Sequence, residues 1–207
     1  MKIDIIVQAR VTSHRLSGKV LMPVMGRPMI QYTLESLRRC RMPVVMAIPY
    51  DSAALRSVIG NFHEGPELNV AERFASYLRD RQPDAFVRIC GDSPLIDWRV
   101  VNWCVDVFRE TRPDILGNLK GFPPGQHAEV VNTEFFLDNL RHADTEHVTK
   151  GLYDIGDSRI LGITPSCEAP SMVVDTKEDF DRVSEAIELC DGKPWAYGFR
   201  EIQEFLR

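Results

Sequence analysis

The sequence predicts an α/β protein with a Rossmann-type three-layer α/β/α fold and a mostly parallel mixed sheet. Short apolar runs alternate with segments of helical periodicity, which indicates βαβ units and parallel strands. In the second half several strand signals lie close together, which favours an antiparallel excursion within that sheet. Ligands of such sheets bind outside the carboxyl ends of the strands. Neither a repeat nor a linker interrupts the 207 residues, so one domain covering residues 1–207 is predicted.

Strands are predicted where a short apolar run is bounded by turn residues, as in Ile3–Val7 at the start of the chain. The other predicted strands cover residues 43–49, 85–90, 114–117, 127–132, 159–164 and 172–174. Helices are predicted where apolar residues recur every three or four positions. One begins near Pro28, and the others cover residues 53–62, 71–81, 100–108, 133–142, 176–189 and 197–206. The Gly/Pro-rich stretch 121–125 is predicted to be a loop.

Composition excludes several classes of protein. The formal net charge of -5 argues against a nucleic-acid partner. No apolar stretch is long enough to cross a bilayer, and Met1-Lys2 leads into a strand rather than a signal peptide, so no membrane association and a cytoplasmic location are expected. The cysteines form no C-x-x-C pair, so neither a zinc site nor a disulfide framework is indicated. They are Cys40, Cys90, Cys104, Cys167 and Cys190.

The loop after the first strand is the most informative segment of the chain. It carries Arg10, Arg15 and Lys19 among small residues, and residues 1–41 hold eight Lys/Arg against two Asp/Glu in an otherwise acidic protein. Backbone N–H groups of such a loop can bind an anion, while arginine and lysine side chains neutralise it. The pattern favours a polyphosphate site, and a solvated basic loop is the alternative. Since G-x-G-x-x-G is absent, a dinucleotide-dependent dehydrogenase is disfavoured.

Two aspartates follow predicted strands. Asp92 comes after the strand at 85–90 and Asp175 after the strand at 172–174. Carboxylates at this edge of a sheet can converge on Mg²⁺, which prefers oxygen ligands. Each has a structural alternative: Asp92 lies in a turn-like Gly-Asp-Ser-Pro sequence, and Asp175 precedes a helix start with Thr176 as N-cap and Asp179 in the capping-box position. Together with the cationic loop, the two aspartates favour a metal–phosphate site.

The chain resembles a known family, the cytidylyltransferases of the spore-coat polysaccharide synthesis type. These are related to acylneuraminate and 3-deoxy-manno-octulosonate cytidylyltransferases. The resemblance covers nearly the whole chain and depends on several ordered blocks. These are Val7-Gln8-Ala9-Arg10, Ser13, Arg15-Leu16, Gly18-Lys19-Val20-Leu21, Gly26, Pro28-Met29-Ile30, Arg88-Ile89, Gly91–Asp97, Pro124-Gly125, Glu129-Val130, Glu146–Thr149, Val174-Asp175-Thr176 and Asp179-Phe180.

The resemblance implies a nucleotide-diphosphosugar transferase-like fold and a Mg²⁺-dependent reaction in which an oxygen of a sugar acid, or of a related sugar, attacks the α-phosphorus of CTP and releases pyrophosphate. Matched by position, the catalytic residues are Lys19, Arg10 and Asp92, and the metal ligands are Asp92 and Asp175. The nucleotide-binding residues are Gln8, Ala9, Arg10, Ser13, Arg15, Gly18, Lys19, Arg88 and Asp92. Glu129 and His147 fall on the acceptor side, where a structural histidine is the alternative for His147.

This chain departs from the family pattern at two positions. Ser17 replaces a usual proline, which leaves the loop less preorganised. Asn69 replaces a common aspartate and removes a negative charge. Two other functions therefore stay open: a nucleotidyltransferase that uses another nucleotide with a sugar phosphate or phosphonate, and a non-catalytic nucleotide-binding homologue. A homodimer is also expected from the resemblance, and the apolar surface near Trp98 and Trp103 is a candidate interface, with buried core as the alternative.

Overall fold

The computed structural model describes residues 1–13, 15–164, 166 and 170–206. Seven of its strands form one sheet, in which a single strand runs antiparallel to its neighbours. The strands are β1 (Ile3–Gln8), β2 (Pro23–Val24), β3 (Arg27–Pro28), β4 (Val44–Pro49), β5 (Phe62–Gly65), β6 (Ala85–Cys90), β7 (Ile115–Lys120), β8 (Glu129–Asn132) and β9 (Ser158–Gly162). The sheet has the order β5-β4-β1-β6-β8-β7-β9, and β2 and β3 form a separate hairpin.

The predicted mixed sheet is confirmed. The strands β5, β4, β1 and β6 are parallel, β8 is antiparallel to β6 and β7, and β9 is parallel to β7. The antiparallel excursion therefore lies in the second half of the chain, as the closely spaced strand signals predicted.

Helices cover both faces of the sheet and create two apolar layers. They are α1 (Ile30–Leu37), α2 (Ala53–Arg56), α3 (Val70–Arg81), α4 (Trp98–Thr111), α5 (Thr133–Asp138), α6 (Lys177–Leu189) and α7 (Phe199–Phe205). In β1, Ile5 and Val7 belong to the larger apolar cluster, whereas Ile6 belongs to the smaller cluster with Phe74 of α3 and Phe136 of α5. Burial on both faces explains why β1 is mostly apolar; its one charged residue, Asp4, is also buried and accepts a hydrogen bond from Tyr77.

Three predicted elements are wrong in part or in full. The helix expected over 53–62 is one turn, α2, and Phe62 instead begins β5, an edge strand that the periodicity missed. The helix expected over 133–142 ends at Asp138, and a short 3₁₀ helix covers Leu140–His142. The segment 172–174 forms no strand, because Met172 and Val174 are buried while their N–H groups bond to loop carbonyls of Pro124 and Asp92.

The remaining boundaries shift by a few residues. The chain forms the β2–β3 hairpin before α1 begins at Ile30, so Pro28 lies in a strand rather than at the helix start. The strand expected from residue 127 begins at Glu129. Thr176 caps α6, and its side chain and that of Asp179 form the predicted capping box. Cys167 lies outside the described residues.

Candidate active site

A cleft of about 460 Å³ opens where β1 and β6 end. The predicted site residues that line it are Gln8, Ala9, Arg10, Ser13, Arg15, Lys19, Arg88, Asp92, Glu129, His147 and Asp175. Gly18 is not among the lining residues; it adopts a φ of 71° directly before the short helix that begins at Lys19. Because that left-handed conformation favours glycine, Gly18 shapes the loop rather than contacting the cleft.

Lys19 lies at the centre of the charged groups in the cleft. Its ammonium donates to Oδ2 of Asp92 at 2.7 Å, to Oδ1 of Asp175 at 2.9 Å and to the carbonyl of Val174 at 2.7 Å. Burial lowers the pKa of Lys19, but the two carboxylates outweigh burial, and the pKa is raised above its ordinary value. Lys19 therefore stays charged and holds both aspartates around one point.

Backbone contacts hold the two aspartates at this position. Gly91 lies beside β1, where its N–H donates to the carbonyl of Gln8, and a Cβ on Gly91 would approach that oxygen to 3.0 Å. The carbonyl of Asp92 accepts from Val174 N–H at 3.0 Å, which brings Asp175 next to Asp92. Since Thr176 and Asp179 cap α6, the Asp175 side chain is left to face Lys19. The helix cap formed by Thr176 and Asp179 is therefore compatible with a role of Asp175 in the cleft.

The two arginines of the first loop also pair with acids. Arg15 contacts Oδ1 of Asp175 at 2.9 Å and is exposed, whereas Arg10 contacts Oε1 of Glu146 at 2.6 Å and is largely covered. A triphosphate entering the cleft would compete with these carboxylates for the same guanidinium groups. Ser13 and His147 also line the cleft.

A buried ion pair forms another part of the cleft wall. Arg88 of β6 donates to Glu129 of β8 and to Oε1 of Gln8 at 2.9 Å. The other oxygen of Glu129 accepts from Thr149 at 2.8 Å and from Tyr153 at 2.9 Å. Burial opposes the charge of Arg88, but neighbouring acidic groups outweigh it and the pKa of Arg88 is raised. Burial, followed by Glu129, also raises the pKa of Tyr153, which therefore stays a neutral donor.

Several lining residues have no role in the sequence prediction. They include Arg73, His127 and Glu146, and Glu146 forms the ion pair with Arg10. The sequence signals were weak: Arg73 occupies an ordinary helical position, and His127 only neighbours the block that contains Glu129. Asn69, one of the two departures, caps α3 by accepting from Glu72 N–H at 3.0 Å, so the amide performs the capping that an aspartate would also perform.

Two carboxylates, Asp92 and Asp175, are the oxygen donors that fit a divalent cation here, because both already face one positive charge. Within the described residues no group of three or more His, Cys, Asp or Glu side chains is arranged as a metal site. A cation held by this pair would need its remaining ligands from phosphate oxygens or water.

A cleft lined by Arg10, Arg15, Lys19, Asp92 and Asp175 at the ends of parallel strands is the arrangement expected of a nucleotidyltransferase. Residues 5–145 match the cytidylyltransferase family, and the chain belongs to that family. The resemblance found in the sequence is thereby confirmed, and so is the expectation of an enzyme.

Two relatives illustrate the relationship by sequence. The spore coat polysaccharide biosynthesis protein SpsF of Bacillus subtilis is 26% identical over 214 residues, which cover 91% of this chain and 88% of the relative. The 3-deoxy-manno-octulosonate cytidylyltransferase of Geotalea uraniireducens is 26% identical over 126 residues, covering 58% of this chain. The match spans half the length of that second relative.

Solved structures show the same fold. A cytidylyltransferase from Leptospira borgpetersenii superposes with a TM-score of 0.90 at 21% identity, covering 99% of this chain and 93% of its own. A CMP:2-keto-3-deoxy-manno-octonic acid synthetase complexed with CTP superposes with a TM-score of 0.71 at 16% identity, covering 92% of this chain and 100% of its own. In the described part of this chain, no helix has the length and apolar character that crossing a bilayer requires.

Proposed function

We propose that the protein transfers CMP from CTP to a sugar acid, or to a related sugar, with Mg²⁺ present and pyrophosphate released. The observation that carries the proposal is the convergence of Arg10, Arg15 and Lys19 with Asp92 and Asp175 in one cleft. Cations suit the triphosphate, and paired carboxylates suit the metal that accompanies it. Family membership and the CTP complex of a structural neighbour support the choice of nucleotide.

The side chains of the chain itself account for most of the chemistry. Arg10 and Arg15 bind phosphate oxygens, and Lys19 stabilises negative charge on the departing pyrophosphate. Asp92 and Asp175 would hold Mg²⁺, which supplies Lewis-acid polarisation of the phosphate. Fixed charges in a partly buried cleft need little reorganisation during the reaction, so positioning and charge stabilisation suffice without a covalent intermediate.

In this proposal the acceptor binds near Glu129 and His147, which line the cleft together with Arg88, Leu119 and His127. A relative named for polysaccharide biosynthesis and another named for 3-deoxy-manno-octulosonate support a sugar acid as the acceptor class. A single domain, a homodimer and a cytoplasmic location stay predictions from the sequence.

The test is a pyrophosphate-release screen with CTP, Mg²⁺ and a panel of sugar acids, sugar phosphates and phosphonates. Release with CTP and a sugar acid, abolished by chelation and by Asp92→Asn, is the expected result. A thermal-shift ranking of CTP, UTP, GTP and ATP reports the base preference independently of the acceptor. Release with another nucleotide alone would contradict the choice of CTP, and CTP binding without release across the panel would favour the non-catalytic alternative.

A further inference from the structure

Arg73 of α3 is fully buried, and its guanidinium is bound by backbone carbonyls instead of a carboxylate. Nη1 donates to Ala9 at 3.2 Å and to Ala47 at 3.0 Å, while Nη2 donates to Pro66 at 2.8 Å and to Glu67 at 3.0 Å. Nε donates to Pro66 as well, at 3.1 Å. No ion pair of Arg73 occurs among the residues that the structure describes.

The backbone leaves room for this side chain at one glycine. A Cβ on Gly65, the last residue of β5, would lie 2.8 Å from Cγ of Arg73 and 3.1 Å from its Cα. Any larger residue at position 65 would displace either α3 or the arginine. One guanidinium thereby joins the loop after β1, the strand β4 and the loop after β5.

No carboxylate of the described residues lies within ion-pair distance of Arg73, and the charge of Glu67, which acts on it from further away, offsets only part of the effect of burial. Burial lowers its pKa to about 10, and the positive charge of Arg10 acts in the same direction, so the group is still charged at neutral pH. A buried charge without an ionic partner is costly, because carbonyl dipoles replace only part of its hydration. Since Arg73 lies against the cleft, an anion bound there would supply the missing negative charge through a region of low dielectric.

Arg73 also fixes the direction of the peptide that links Ala9 to Arg10. In a planar trans peptide the C=O and N–H groups point in opposite directions. Because Arg73 holds the carbonyl of Ala9, the N–H of Arg10 is turned away from α3. Among the described residues this N–H makes no hydrogen bond, and unpaired N–H groups of a loop are the usual backbone donors to anions.

We propose that Arg73 is a positioning residue for the triphosphate: it fixes the loop at Ala9 and Arg10 and places a buried positive charge behind it. The inference rests on the proposed function, because it assumes that a polyphosphate enters the cleft. Arg73 itself, being fully covered, makes no contact with the ligand. Its effect passes through the backbone and the electric field of the cleft.

The test compares Arg73→Met, Arg73→Lys and the control Arg99→Met. Arg99 also donates to two backbone carbonyls, those of Ala196 and Tyr197, but it lies outside the cleft. Calorimetric titration with inorganic triphosphate and with CTP should show binding about tenfold weaker in Arg73→Met, a loss equivalent to about 1.4 kcal/mol. Arg73→Lys should restore part of it, because the charge returns without the full set of hydrogen bonds.

Two further measurements separate this role from a loss of folding. Hydrogen exchange of the peptide covering residues 9–13 should accelerate in Arg73→Met, and the KM for CTP should rise more than kcat falls. If Arg73→Met does not fold, Gly65→Ala provides the second variant, because its Cβ would lie 2.8 Å from Cγ of Arg73 and either the arginine or α3 would have to shift. If the variant that folds binds triphosphate, and exchanges hydrogen at residues 9–13, as the wild type does, the role of Arg73 is overturned but the proposed function is not. If the wild-type protein binds neither inorganic triphosphate nor CTP, the proposed function is overturned as well.

Discussion

Lys19 and Asp175 are 156 positions apart in the chain, yet the Lys19 ammonium lies 2.9 Å from Oδ1 of Asp175. The same ammonium is 2.7 Å from Oδ2 of Asp92. Lys19 therefore holds the position at which these two carboxylates would share a divalent cation. A divalent cation bound by these two carboxylates in the absence of nucleotide would therefore compete with Lys19 for the same oxygens.

Lys19→Met should increase the stabilisation that Mg²⁺ or Mn²⁺ gives to the nucleotide-free protein. Without the ammonium, Asp92 and Asp175 repel each other, and a divalent ion relieves that repulsion. The measurement is the thermal shift on adding metal, with Lys177→Met as the control because Lys177 pairs with Asp181 on the surface. A smaller metal-induced shift in Lys19→Met than in the wild type would contradict the shared position of the lysine and the metal.

The same variant should slow pyrophosphate release by about 10²–10³-fold, as expected for the loss of a charge that stabilises the transition state.

Asp92→Asn should lose nearly all pyrophosphate release while the protein stays folded. The amide keeps the size of the carboxylate but removes the negative charge that binds a divalent cation. We therefore expect the rate of pyrophosphate release to fall by more than about 100-fold. Activity is measured with CTP, Mg²⁺ and the best acceptor, and folding by circular dichroism. Asp106→Asn, which breaks an exposed pair with Arg41, is the matched control. Near-normal turnover in Asp92→Asn would remove Asp92 from the proposed metal site.

Glu129→Gln should destabilise the fold strongly, because three donors converge on this carboxylate. Arg88, Thr149 and Tyr153 all face its oxygens, and a glutamine offers only one acceptor and leaves Arg88 without a counter-charge. Breaking a buried pair of this kind costs about 3–5 kcal/mol. Urea unfolding gives the value, and Glu64→Gln, which loses a partly exposed pair with Arg56, should cost no more than about 1 kcal/mol. Equal losses in the two variants would show that the network adds nothing beyond a surface pair.

The sequence predicted the central strands and the edge of the sheet that carries the site. A mostly apolar run such as Ile3–Val7 can be recognised as a strand from the sequence alone, because a strand that is buried on both faces does not alternate between apolar and polar residues. Asp92 could be placed because it follows one of these strands. For Lys19 and Asp175 the sequence predicted only that both lie at the same edge of the sheet, and it did not predict their direct contact.

Tertiary context decided what the sequence could not predict. The residues 172–174 look like a strand because Met172 and Val174 are apolar, but they are buried by packing over a loop rather than by pairing in the sheet. Phe62 continued a helical periodicity, yet it begins an edge strand. The partners of Arg73 are four backbone carbonyls, and carbonyl positions leave no trace in side-chain patterns.

His127 should make the protein less stable in mild acid. Burial lowers its pKa from the ordinary value of 6.5; the carbonyl of Phe122 and the charge of Glu129 oppose this shift, and the charge of Arg88 adds to it. Below pH 6.5 the unfolded chain therefore binds a proton more readily than the folded protein, so the stability present above that pH is lost as pH falls through the lowered pKa of the folded state.

His127→Gln should thus lose less stability than the wild type when the pH is lowered from 7.5 to 5.5, as measured by urea unfolding at each pH. His142→Gln is the control, since His142 is exposed and lies outside the cleft. If His127→Gln and the wild type lose the same free energy of unfolding between pH 7.5 and pH 5.5, the folded protein accepts a proton on His127 as readily as the unfolded chain does. Because His127 also lines the cleft, the variant tests the proposed acceptor position: we expect a raised KM for the acceptor with an unchanged KM for CTP if the acceptor binds near His127 and the nucleotide does not.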